Sequence, residues 1–127
     1  IERTLARAEE QGVRNINATV RDVLAAGFGL EAACCDAALL FNILHCPQPE
    51  EVLRKASALL RPTGRVLVIH WRSDIATPRG PALDLRPRPE QIATWAAEAG
   101  LKADGPALLL PPWHFGLILR ASESLPA

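Results

Sequence analysis

Neither sign of charge is in excess: fourteen Lys and Arg balance fourteen Asp and Glu, for a formal net charge of zero. Such a chain generates no long-range field for nucleic acid or an anionic membrane, and neither is expected as a main partner. Long apolar runs are also missing. None approaches the roughly 18 to 20 residues that a membrane-spanning helix needs. The first residues lack the succession of basic region, apolar segment and cleavage site, so no secretion signal is expected. Cysteine is scarce, at Cys34, Cys35 and Cys46 only. There is no CxxC pair and no second ligand cluster at a recognised spacing, which argues against zinc even though His45 adjoins Cys46. An ordinary disulfide between the neighbours Cys34 and Cys35 would be strained. Reduced, buried thiols in a cytoplasmic protein are the expected reading. No internal repeat is evident.

What is present suits one domain. The length is 127 residues and nearly half are apolar, enough for a real core. IERTLARAEEQG reads as a helix, with Ile1, Leu5 and Ala8 on one face and Gly12 as its stop. No capping residue precedes Ile1, and residues that belong before it are expected. NINATV alternates Ile16, Ala18 and Val20, which predicts a short strand ending at Arg21 and Asp22. AAGFGLEAA is a loop or short turn. CCDAALLF is a nearly continuous apolar run, as expected of a strand covered on both faces.

Pro47 and Pro49 break the chain before PEEVLRKASALL. Acidic residues in its first turn and a stripe of Val52, Leu53, Ala56, Leu59 and Leu60 predict an amphipathic helix. RPTG stops it, and RVLVIHW is a β-branched strand. From Arg72 to Arg88 proline and glycine are dense, and a loop of this length is usually functional or disordered. EQIATWAAEAG places Ile92, Trp95, Ala96 and Ala99 on one helical face. ALLL and HFGLILRA close the chain. Their connection is too short for a helical crossover, so they form an antiparallel pair.

Alternating elements with right-handed crossovers imply an α/β fold. Its sheet is expected to be mainly parallel, with a C-terminal antiparallel hairpin. Ligands of such sheets bind beyond the carboxyl ends of the strands, where Asp22, Asn42, His45 and His70 would collect.

DAALLFNILHCPQPEEVLRKASALLRPTGRVLVIHW resembles the segment of class I S-adenosylmethionine-dependent methyltransferases that runs from the fourth strand to the fifth. Upstream, NINATVRDVL is similar to the family's third strand with its adenine-contacting Asp. Downstream, the final hairpin resembles strands six and seven. HWRSDIATPRGPALDLRPRPEQIATWAAEAGL also resembles a bacterial subgroup of these enzymes. The likeness covers about 110 of the 127 positions; as a set the pieces are moderately specific, and each alone is weak. Thr63 stands where the family usually has the first glycine of Gly-Gly.

The family's first strand, Gly-rich loop and second strand would precede Ile1. The resemblance therefore implies a Rossmann-like methyltransferase sheet, N-terminally truncated, with residues 1–127 a partial domain. In the family's sheet order, 3-2-1-4-5-7-6, two strands are then missing between the third and the fourth. Their loss leaves a gap of about 10 to 15 Å, which direct pairing of these two strands could close.

The resemblance implies methyl transfer from S-adenosylmethionine to a small-molecule acceptor by the parent enzyme, with the fragment itself inactive and weak in cofactor binding. In-line transfer from a sulfonium needs mainly alignment and exclusion of water, so no triad or metal centre is required. It implies cofactor contacts from Arg21, Asp22, Val23, Phe41 and Asn42, although Asp22 could equally be a helix cap and Asn42 a turn former. His45 and His70 are candidate catalytic bases, or structural histidines. Trp71, Arg72 and Arg79 are candidate substrate contacts, with Trp71 alternatively core. Arg79, Arg86 and Arg88 could clamp an anion, or pair on the surface with Asp74, Asp84 and Glu90. Two other classes stay open: a non-catalytic α/β remnant that pairs with another chain, and a dinucleotide-binding oxidoreductase domain. The acceptor atom and the oligomeric state are not encoded legibly.

Overall fold

The computed structural model describes residues 1–122, so the last five positions of the expected 1–127 domain lie outside the described residues. Helix α1 spans Glu2–Glu10. Gly12 follows at φ +68°, a conformation glycine adopts without Cβ strain, and the Val13 N–H returns to the Ala8 carbonyl at 2.8 Å. A single turn, α2, spans Val23–Ala26. Strand β1 (Cys35–Phe41), helix α3 (Pro49–Leu59) and strand β2 (Leu60–Trp71) form the central unit. A 3-10 turn at Leu83–Leu85 interrupts the long loop before α4 (Pro89–Glu98). Strands β3 (Leu101–Ala103), β4 (Leu108–Leu110) and β5 (His114–Ala121) complete the sheet.

The sheet is mixed, in the order β1-β2-β5-β3, with β4 also on β5. Parallel pairing joins β1 to β2, and β5 runs antiparallel to β2, β3 and β4. Between the pairs Cys35–Leu60 and Ala37–Arg65 the register shifts, because residues 61–64 of β2 stand against Asp36 alone on β1. The RPTG turn expected to end the helix is thus folded into the strand as an irregularity. Gly64 belongs there because a Cβ would stand 3.0 Å from the Arg61 carbonyl oxygen and 3.1 Å from that of Asp36.

One face of the sheet carries the core. Leu40, Val66, Val68, Phe115, Leu117 and Leu119 meet Val52, Leu53 and Ala56 of α3 and Ile92 and Ala96 of α4 in one cluster. The apolar stripes of the two helices are the reason they lie there. The other face is not covered by a helix among the described residues. Leu39 and Phe41 are exposed, and a shallow groove runs past Phe41, Leu67, Ile69, Leu108, Leu110 and Ile118.

Several expectations need correction. Residues 16–20 are not a strand: Val20 is 89% exposed, and the segment has no ladder partner among the described residues. Alternating side chains do not make a strand without a neighbour to accept its N–H groups. Among the described residues that segment does not pair with β1, and β1 pairs only with β2. The apolar run of β1 is covered on one face rather than two, since α3 and α4 lie on the same side. Strand β3 was not expected; three residues with Lys102 at the centre carry no period to detect. Cys34 and Cys35 are partly exposed rather than buried, and their thiols are free with the sulfurs 3.5 Å apart.

Leu53 is fully buried where α3 meets the sheet. Leu53→Ala is expected to lower unfolding free energy by about 2 to 5 kcal/mol in urea titration. Val20→Ser, on the unpaired segment, should stay within about 0.5 kcal/mol of the unsubstituted protein.

Candidate functional site

The parallel pair β1–β2 brings two chain segments out of the sheet at the same end. The Asn42 N–H donates to the Ile69 carbonyl at 2.7 Å, so the turn after β1 starts beside the last residues of β2. Asn42 has φ +57°, in the left-handed region that asparagine tolerates better than most side chains. It is therefore a turn former. Its Oδ1 is nonetheless buried with no hydrogen-bond partner among the described residues. A buried acceptor left alone costs about 1 to 3 kcal/mol, so this oxygen is suited to a ligand donor.

The turn continues through His45, whose Nδ1 lies 3.2 Å from Nε2 of His70. The rings meet edge to face with centroids 5.3 Å apart. His70 is fully buried, while His45 is exposed. Nδ1 of His70 lies 3.3 Å from the Trp71 carbonyl oxygen. Burial pushes the His70 imidazole from its ordinary 6.5 down to about 4; the backbone hydrogen bond opposes this, and His45, Arg86 and His114 add to the downward shift. His70 is neutral at physiological pH.

A cavity of about 250 Å³ opens on the α3 side of the same end. Arg21, Asp22 and Val23 line it together with Phe28, Ile43 and Cys46. Asp22 caps α2, accepting from the Ala25 N–H at 3.2 Å. The guanidinium of Arg21 folds back over Gly29, where any Cβ would stand 2.4 Å from it, and donates to the Ala26 carbonyl at 3.4 Å. Lys55 of α3 ties the α2 turn down by donating to the carbonyls of Val23 and Leu24 at 3.0 and 2.6 Å. Burial raises the Cys46 thiol above its ordinary value, so it is a wall residue rather than a thiolate.

A second cavity, about 370 Å³, lies between the start of the long loop, the first turn of α4 and β4. Arg72, Arg88, Glu90, Leu108 and Phe115 contribute to its lining. Arg72 is held bidentately by Asp74 at 2.9 and 2.8 Å, which keeps the Asp74 carboxyl below the usual carboxylate range. Phe115 joins this cavity to the histidine pair, its ring centroid 6.5 Å from that of His70.

The predicted residues thus fall into groups. Arg21, Asp22 and Val23 share one cavity, with Asn42 on the adjoining turn. His45 and His70 touch. Phe41 is separate, on the open sheet face in the groove with Leu67 and Ile69. Trp71 is half-buried and stacks on His114 at 4.1 Å between centroids. Arg79 is an exposed loop residue whose side chain has no partner among the described residues. The surface pairing considered for Arg86 is not found. It is buried, donating to the carbonyls of Pro81, Arg72 and Arg79 and to Oγ1 of Thr77, at 2.8 to 3.1 Å. Its charge also lies 5.7 Å over the Trp71 ring. Nothing in the RPRP pattern separates Arg86 from exposed Arg88. Ile43, Cys46 and Phe28 were missed as wall residues, because their apolar character matches that of core. No cluster of three metal-ligating side chains occurs among the described residues.

A mixed sheet with two helices on one face and polar groups at the ends of its parallel strands is a fold this chain shares with S-adenosylmethionine-dependent methyltransferases of known structure. Among solved structures, a SAM-dependent methyltransferase from Aquifex aeolicus superimposes with a TM-score of 0.80 at 14% identity, over 94% of this chain and 62% of its own. A protein assigned as a type 11 methyltransferase, from Sulfolobus solfataricus, gives 0.70 at 23% identity, over 97% and 69%. The mitomycin 7-O-methyltransferase MmcR gives 0.72 at 15% identity, over 95% and 39%. This chain therefore spans 62% of the Aquifex protein's length. No protein-family model matches the sequence, and no curated protein is similar to it.

Two expectations follow from the geometry. His70 binds its proton at about pH 4 when folded and near 6.5 when unfolded, so the unfolded state holds more protons between those values. Stability is fully present above about pH 6.5 and falls as pH drops toward 4. The loss is on the order of 3 kcal/mol, to be read from urea midpoints against pH and to shrink in His70→Gln. Arg86→Met should accelerate amide exchange across residues 72–82, where four acceptors lose their donor, and leave β2 exchange unchanged.

Proposed function

We propose that this chain supplies one wall of an enzyme that moves a methyl group from S-adenosylmethionine to a small-molecule acceptor. The observation that carries the reading is the orphaned Asn42 Oδ1, an acceptor with no donor, set at the end of β1 beside His45 and His70. The residues present fit the cofactor. Asp22 can accept from an adenine amino group, Arg21 and Val23 flank it on the same cavity, and Asn42 can accept from a cationic amino group. S-adenosylmethionine, when bound, supplies an electrophilic methyl carbon on a positively charged sulfur. The residues of this chain orient it, exclude water and accept the acceptor's proton at the histidine pair. Phe41, on the open sheet face, is assigned no part in this wall.

The second cavity is the proposed acceptor site. Leu108, Leu109 and Phe115 offer apolar surface, and Arg72 and Arg88 stand at its polar side. Trp71 backs the loop there through His114 and Arg86, and Arg79 is proposed to reach the acceptor from the exposed loop. The described residues close the cofactor site on one side only, so residues 1–127 alone are proposed to hold S-adenosylmethionine weakly and to turn over poorly. No helix among the described residues is long and apolar enough to cross a membrane. The three free cysteines support a cytoplasmic setting, which belongs to the same proposal.

The test is titration of S-adenosylhomocysteine followed by amide NMR. Shifts are expected at residues 21–24 and 42–46, reduced at least tenfold in apparent affinity by Asp22→Ala. Shifts absent from both segments at millimolar ligand would overturn the reading. Larger shifts from a nicotinamide dinucleotide at the same residues would favour the oxidoreductase reading instead.

A further inference from the structure

We infer that His45 carries its proton on Nδ1 and presents an unprotonated Nε2 to the acceptor, with buried His70 as the positioning residue that enforces this tautomer. The chemical role rests on the proposed methyl transfer; the proton arrangement does not. It follows from three contacts taken in order. A carbonyl oxygen can only accept, so the 3.3 Å contact between Nδ1 of His70 and the Trp71 oxygen requires a proton on that nitrogen. A neutral imidazole with a proton on Nδ1 has a bare Nε2. The 3.2 Å contact between that Nε2 and Nδ1 of His45 then requires the proton to sit on His45. Nε2 of His45 is left bare, on an exposed residue, with no partner among the described residues.

The reverse direction would need protons on both nitrogens of His70. That makes a cation in a site with no exposed surface. It would also face His45 from the turn after β1, His114 from β5 and the permanent charge of Arg86 from the long loop. No carboxylate is among the groups acting on it. Desolvation and like charges together hold His70 in the neutral, accepting form.

The consequence for catalysis is directional. The acceptor's hydroxyl or amine proton passes to His45 Nε2 as the bond from the acceptor atom to the methyl carbon forms. The bond broken in exchange would be the one between the methyl carbon and the donor's sulfur, which would leave as a neutral thioether. His45 becomes an imidazolium whose Nδ1–H stays pinned to His70, and it returns the proton to solvent from its exposed side. A ring free to flip would show Nδ1 or Nε2 to the acceptor at random. His70 removes that choice, so it acts on geometry rather than on the reacting atoms.

The arrangement is read by long-range proton–nitrogen correlation NMR on residues 1–127 near neutral pH, with His114→Gln used to assign the third ring. Both His45 and His70 are expected as the Nδ1–H tautomer, the less common form for a free imidazole. His70→Phe should release His45 to the Nε2–H form; should that variant not fold, His70→Gln, whose amide oxygen can still accept, should retain Nδ1–H on His45. A wild-type His45 protonated on Nε2, or a cationic His70, overturns the inference regardless of any activity. With an acceptor in hand, His45→Gln should lower kcat by about 10² to 10⁴-fold, remove the acidic limb of the pH profile and leave KM nearly unchanged. Methyl transfer undiminished in His45→Gln overturns the role of His45 but not the methyltransferase reading. The expected tautomers without binding of S-adenosylhomocysteine would overturn that reading and leave the proton arrangement standing.

Discussion

Parallel pairing between β1 and β2 is the constraint on which the rest depends. Strands that run the same way must end on the same side, and α3 is the crossover that lets the chain return to start the second one. Asn42 and His45 leave β1 at the level where Ile69, His70 and Trp71 finish β2. Had the two strands been a hairpin, His45 and His70 would stand at opposite ends of the sheet. The contact between their rings and the position of the orphaned Asn42 oxygen both descend from that single direction of pairing.

The second half of the chain serves this end of the sheet from the other side. β5 starts at this end and runs antiparallel to β2, so its first residues His114 and Phe115 stand opposite Trp71 and His70. The long loop leaves from Arg72 and is tied back by Arg86, whose guanidinium takes up carbonyls from three separate points of the loop. A buried cation without a carboxylate is tolerated here because its N–H groups are met and an aromatic face lies beneath it. The loop is thus a folded wall rather than a tether. The same architecture hosts different chemistries in different proteins, so function must be argued from the site, and the site proposed here is a histidine pair beside an unsatisfied acceptor.

Much of this was legible in the residues. The stripe of Val52, Leu53 and Ala56 specifies α3, because an apolar face one helix turn wide has no use except burial. The β-branched run of β2 and the short link before β5 specify a sheet that ends antiparallel. The polar residues after each strand marked one end of that sheet. Where the reading failed, a local pattern lacked its partner. Ile16, Ala18 and Val20 alternate as a strand should, yet an isolated strand leaves its N–H and C=O groups to water and gains nothing from being extended. β3 failed in the opposite way: three residues with a lysine in the middle become a strand because β5 lies alongside.

The succession from β1 through α3 and β2 to α4, the helical faces and the end of the sheet where polar groups gather were determined by the sequence alone, since periodicity and turn chemistry act over a few residues. Tertiary structure decided which groups touch: that His45 meets His70, that Arg86 among several arginines goes inside, that Phe41 faces away from Asp22 and Asn42. Those outcomes depend on distances between segments 25 residues or more apart, in the case of the histidines. Contacts of that kind are set by strand register and crossover geometry, which no local pattern of side chains contains.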